Sequence, residues 1–110
     1  MFYRYEARLI TNKTKESEWK GIFSIMTKNE RNKWWCLPVP QWYKKHPESK
    51  TKAWFTEYGY NKYHEKMENV IQHIIIEENR PYDIRLLKQE SVPDIVMKGK
   101  TQCLQQIRTN

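Results

Sequence analysis

The sequence predicts an α+β domain: a mainly antiparallel sheet, packed by one long helix over about residues 57–79 and finished by a C-terminal three-strand meander. Three observations carry that expectation. Residues 2–10 alternate, with Tyr3, Tyr5, Ala7 and Leu9 on one side and Arg4, Glu6 and Arg8 on the other, the period-two pattern of a half-buried strand. Tyr60, Tyr63, Met67, Val70, Ile71 and Ile74 recur at three- and four-residue spacing, which gives an amphipathic helix a single apolar stripe. After Pro81 come short segments of strand composition separated by turn residues. At 110 residues, with no internal repeat or linker, positions 1–110 read as a single domain.

The elements follow in order. Residues 11–17 are polar and read as a turn after the first strand. Gly21 disfavours helix by about 1 kcal/mol relative to Ala, so residues 21–25 read as a second strand. Residues 27–33 are helix-compatible, with Asn29 as candidate cap. Pro38 and Pro40 stop any helix, because proline fixes its own backbone and pushes the preceding residue towards extended geometry. Residues 41–46 form one turn ended by Pro47. Residues 53–56 are a short buried strand, and Thr56 or Asn61 caps the long helix, which ends near Asn79 ahead of Pro81. In the next strand Tyr82, Ile84 and Leu86 point inward, Asp83 and Arg85 outward. Residues 95–98 and 101–107 pair as a hairpin around Gly99-Lys100, with glycine supplying the positive φ of a type II′ turn. Gln102, Gln105 and Gln106 then form a solvated strand face.

Composition sets bounds on function. Only 38% of the residues are hydrophobic, yet the chain holds five Trp, seven Tyr and three Phe. Each ring removes roughly 150–250 Å² from water when buried, so a few rings supply much of a core. The net charge of +7 favours acidic partners, namely nucleic acid, an anionic membrane or an acidic protein surface, with solubility alone as the competing explanation. Three glycines far apart exclude a phosphate-binding loop or a dinucleotide fingerprint. His46, His64, His73, Cys36 and Cys103 lack zinc-ligand spacing, so neither a metal nor a cofactor is expected. Arg4, Glu6 and Arg8 interrupt any leader-like apolar run, and no segment approaches the ~20 apolar residues of a membrane span. A cytoplasmic protein with two free thiols and no membrane partner is the expectation. The richness in Lys, Asn, Ile and Tyr points to a low-GC bacterium or its phages, and the size fits a mobile-element regulator or inhibitor.

Function concentrates in the middle third. There Arg31, Lys33, Lys44, Lys45, Lys50 and Lys52 alternate with Trp34, Trp35, Trp42, Tyr43 and Trp54. Cations neutralise phosphates and ring faces stack on bases at ~1–3 kcal/mol each, while the same mixture also suits an aromatic-anchored protein interface. The competing explanation is a packed aromatic core under ordinary surface lysines. Trp42, Tyr43, Lys44 and Lys45 lie between prolines and are least like core. The expected partner-binding set is therefore Arg31, Lys33, Trp42, Tyr43, Lys44, Lys45, Lys50 and Lys52, in a small basic binding module.

An enzyme alternative comes from element order over residues 53–90. A first strand carrying Arg4, a strand ending in Phe55-Thr56, a helix with Tyr58 and Tyr63, and a strand ending in Gln89-Glu90 resemble the ADP-ribosyltransferase family. The Gln89-Glu90 pair stands without the spacer residue found in the family's Arg-bearing class. The resemblance implies NAD held by Arg4, a pocket shaped by Thr56, an aromatic shelf for nicotinamide at Tyr58 or Tyr63, and Glu90 polarising the ribose.

Overall fold

A computed structural model describes residues 1–10, 18–35 and 37–107. The turn expected over residues 11–17, and Cys36, lie outside the described residues. The fold is a small α+β domain with a six-stranded sheet whose pairings are all antiparallel, packed by one long helix.

Strand β1 (Phe2–Leu9) is the hub of the sheet. One edge pairs with β4 (Tyr82–Gln89) at every position from Phe2↔Gln89 to Leu9↔Tyr82. Its other edge is shared. Tyr3 meets Phe55 of β3 (Thr51–Phe55), whereas Glu6 and Ala7 meet Gly21 and Lys20 of the two-residue strand β2 (Lys20–Gly21). The sheet therefore splits beyond Tyr3, with β2 on one side of the gap and β3 on the other. β3 continues through β6 (Gln102–Gln106) to β5 (Ile95–Lys98). The three C-terminal strands are thus not a meander: β4 crosses to β1, and only β5 and β6 form a hairpin. Local pattern predicts each strand but not this exchange of partners.

Helix α3 (Glu57–Ile71) continues as a π-helical turn, Gln72–Ile76, and ends at Asn79, whose φ of 52° is the left-handed conformation that stops a helix before Pro81. Thr56 is the cap: its hydroxyl accepts from the Gly59 amide at 3.0 Å and donates to the Lys100 carbonyl at 2.6 Å. Tyr63, Met67, Val70, Ile71 and Ile74 are buried as the stripe requires, and Ile75 extends it. The helix packs on the Tyr3, Tyr5 and Ala7 face: Tyr60 stacks on Tyr3 with centroids 4.0 Å apart, and Tyr63 lies 6.3 Å from Phe55.

Other local expectations are revised. Of the second strand expected over residues 21–25 only Gly21 is extended, together with Lys20 before it; Ile22–Ile25 wind into a 3₁₀ turn that buries Ile22. Helix α1 (Lys28–Trp34) is capped by Thr27, not Asn29, because Glu30 at the third helical position completes a reciprocal capping box. No described glycine has positive φ. Instead of a two-residue turn, residues 99–101 bridge β5 and β6, with the Lys100 and Thr101 carbonyls turned towards Thr56 at the start of α3. The three glutamines are half-buried and engaged: Gln105 accepts from the Trp54 indole at 2.9 Å, Gln106 donates to Lys50 O, and Gln102 donates to Pro38 O.

Candidate ligand-binding groove

The split in the sheet is filled by Arg4. From β1 its Nε donates to Glu6 Oε2 at 2.9 Å, and its Nη1 reaches across to the Ala53 carbonyl of β3 at 2.9 Å. Gly21 lies against the same guanidinium: a Cβ there would sit 3.0 Å from Arg4 Nη2. Glu6, expected on an outer face, is 1% exposed and is held from the opposite side by Arg85, whose Nε and Nη2 donate to Oε1 at 2.9 and 2.6 Å. Burial raises the Glu6 pKa, but hydrogen bonds from Arg4 and Arg85 outweigh it, and the carboxyl titrates below its usual range. Trp19 packs between Arg85 and Arg8, whose guanidinium carbons lie 4.1 and 4.6 Å from its ring centroid.

Beside Arg4 the gap opens into a groove of about 850 Å³. One wall is residues 18–21 with Phe23 and Ser24; the other is residues 50–53. Trp35, Pro38, Val39, Pro40 and Tyr43 border it from the helical connection, and Gln102 and Ile107 from the β6 side. A hollow of about 90 Å³ shares Arg4, Gly21, Phe23, Trp35, Ala53 and Gln102 with the groove and reaches the core at Tyr5, Phe55 and Met67. The charged lining residues are Arg4, Lys20, Lys50 and Lys52 against Glu18. Phe23 is 39% exposed, and Trp19, Trp35 and Tyr43 are half-buried, so the walls offer both rings and cations.

The expected partner-binding residues separate into three places. Tyr43, Lys50 and Lys52 line the groove. Trp42, Lys44 and Lys45 lie with Tyr43 on the short helix α2 (Trp42–Lys45), where the Trp42 ring stacks on His46 at 4.1 Å and Lys44 and Lys45 are exposed. The Tyr43 hydroxyl shares a 2.6 Å hydrogen bond with Thr51, tying α2 to β3. Arg31 and Lys33 are on α1: Arg31 covers the Phe23 ring at 4.2 Å and donates to the Phe23 carbonyl, while Lys33 sits over Trp34 at 5.0 Å. Phe23 in turn meets Trp35 edge-to-face at 5.0 Å, so Arg31 braces a groove wall. Trp54 and Phe55 are core.

Of the alternative set, Arg4 lines the groove, Thr56 is committed to the α3 cap, and Glu90 is exposed just beyond β4. Trp19, Lys20 and Phe23 are groove residues that sequence reasoning missed, and Trp35 is one that it placed in the band of rings but left out of the expected binding set. Their signal is the split itself, which depends on β2 displacing β3 from β1 and has no local periodicity.

No known family, curated protein or solved structure matches this chain. Among the described residues, no cluster of three His, Cys, Asp or Glu side chains comes together as a metal site, and no helix is long and apolar enough to cross a membrane.

Proposed function

We propose that the protein is a binding module whose groove takes an extended anionic chain, and that this chain is single-stranded nucleic acid. The observation that carries the reading is convergence. Arg4, Lys20 and Lys52 come from three separate strands and Lys50 stands just before the third, yet they line one groove with Phe23, Trp35 and Tyr43. The ion pairs among the described residues engage Arg4, Arg8, Arg80, Arg85, His73 and the terminal amine, and no lysine. Groove lysines unclaimed by carboxylates are available to phosphates, and the half-buried rings of Trp35 and Tyr43 beside them to bases. Arg4 supplies a fixed cation, since Glu6 and Ala53 O already orient it.

Titrating labelled single-stranded oligonucleotides at stepwise salt tests this. Log affinity should fall linearly with log salt, by roughly 0.7 per phosphate neutralised. Replacing Lys50 and Lys52 by Ala should lower both affinity and slope on all sequences alike. No binding at low salt would remove the nucleic-acid reading. If acidic peptides then bind in a Lys50- and Lys52-dependent way, the groove belongs to a protein partner.

A further inference from the structure

The sheet has one edge built differently from the others. β4 pairs with β1 at eight successive register positions without a shift, and with no other strand among the described residues. Its second edge therefore presents main-chain N–H and C=O groups along an eight-residue strand, roughly 27 Å at 3.4 Å per residue, except for the Tyr82 N–H, which donates to the Arg80 carbonyl at 2.9 Å. Proteins blunt such edges with short strands, bulges, prolines or charged side chains. The far strands of this sheet are blunted in these ways: β2 has two residues, and β5 has four with an irregularity between Ile95 and Met97. β4 is long, has no bulge and no internal proline, Pro81 standing before it; its charged residues are Asp83, Arg85 and Lys88.

The side chains along β4 decide what it accepts. On the α3 side Ile84 is 36% exposed, flanked by half-buried Tyr82 and Leu86. On the opposite side are Asp83 and Arg85, whose side chains are 49% and 39% exposed while pairing with Arg8 and Glu6 of their own chain. In an antiparallel pairing of two β4 strands about a two-fold axis, residues opposite each other share a face. Centring the axis on Ile84 sets Ile84 against Ile84, Tyr82 against Leu86, and Asp83 against Arg85 in both directions. Centring it on Arg85 or on Asp83 sets like charges against each other. Centring it on Leu86 faces Arg85 with Leu87 and Ile84 with Lys88. The Ile84-centred register is the one among these that matches apolar with apolar and acid with base.

We infer that two copies of this chain associate through β4, antiparallel and centred on Ile84, joining their sheets into one. The complementary overlap runs from Tyr82 to Leu86, so association is concentration-dependent and not obligate. Each copy keeps its groove, because the groove lies across β1 from β4.

Sedimentation velocity from micromolar to near-millimolar concentration tests the association. The wild type should shift from monomer to dimer. Ile84→Lys, which puts two ammonium groups across the axis, should stay monomeric with an unchanged far-UV spectrum. Asp83→Lys, facing Arg85 of the other copy, should weaken the dimer at least tenfold even if Ile84→Lys fails to fold. Ile84→Cys should yield a disulfide-linked dimer under mild oxidation, faster than Leu87→Cys, with the wild type run alongside to account for its two native cysteines. A monomer at every concentration, a dimer indifferent to Ile84→Lys and Asp83→Lys, or equal cross-linking at 84 and 87 would overturn the proposal.

Discussion

Glu6 and Arg85 face each other in the β1–β4 register, and both hydrogen bonds from Arg85 land on a single carboxylate oxygen, leaving the other for Arg4. A nearly inaccessible carboxylate is stable here because each oxygen has a cationic donor. The same arrangement fixes the Arg4 side chain across the split in the sheet, so the core of the strand pair and the wall of the groove share one polar network.

Replacing Glu6 by Gln should therefore cost about 3 kcal/mol or more at neutral pH, since it leaves two guanidiniums beside an uncharged buried group. The pH dependence has a definite sign. The Glu6 pKa is lowered in the folded state, so the unfolded chain binds more protons as pH falls through the ordinary glutamate value near 4.3. The Glu6 contribution is present above that value and is lost as pH falls through the folded pKa. Glu30, lowered chiefly by its Arg80 hydrogen bond, acts in the same direction. Urea denaturation at stepped pH should show wild-type stability falling below about pH 4, with a shallower fall in the Gln variant. Equal slopes would separate Glu6 from acid unfolding.

Gly59→Ala should be among the most damaging single substitutions. An added Cβ would stand 1.9 Å from the Thr101 carbonyl oxygen, and what must yield is backbone that also caps α3 through Thr56. A loss of about 3 kcal/mol, at the upper end of overpacking costs, is expected in chemical denaturation. A near-neutral result would mean the hairpin and the helix are not in contact as described.

Ile74→Ala removes a side chain that is 1% exposed, and should cost about 2–5 kcal/mol. Thermal melts of this variant beside Ile76→Ala, which alters a side chain 58% exposed, should separate widely. Similar melting points would place the Ile74 face at a surface.

The two lysine pairs should behave differently. Lys50 and Lys52 border the groove, whereas Lys44 and Lys45 sit on the outer turn of α2. Oligonucleotide affinity should drop several-fold more for Lys50→Ala with Lys52→Ala than for Lys44→Ala with Lys45→Ala. The reverse order would move the contact surface to the Trp42–His46 stack.

NAD should not raise the melting temperature. Thr56 is occupied at the helix cap, and neither it nor Glu90 lines the groove that contains Arg4. A thermal shift with NAD that vanished in Glu90→Gln would reinstate the transferase alternative.

What could be read in advance follows from the range of each signal. The Tyr60 to Ile74 stripe and the alternation around Tyr5 are local periodicities, and both elements form as expected. Thr27 as the cap of α1 was equally local: Glu30 three residues later carries the capping-box pattern. The burial of Glu6 was not readable, because alternation reports which residues share a face, not whether a neighbouring strand brings Arg85 to cover that face. The middle-third band of rings and cations was a real compositional feature that divided in space. Trp54 and Phe55 went to the core, Arg31 to bracing Phe23, and Lys50 and Lys52 to the groove.

β1 is made before β4 and pairs with it over its whole length, from Phe2↔Gln89 onward. During synthesis the hub of the sheet must therefore remain unpaired along that edge until β4 has been translated. Closing so long a loop is slow compared with forming α3, so folding should start from the helix and its neighbours, with the N-terminal segment docking last. Until it docks, Arg4 has no fixed place and the groove does not exist. Ligand binding would then report completed folding, and a nascent or truncated chain lacking residues 82–89 should be unable to compete for the ligand.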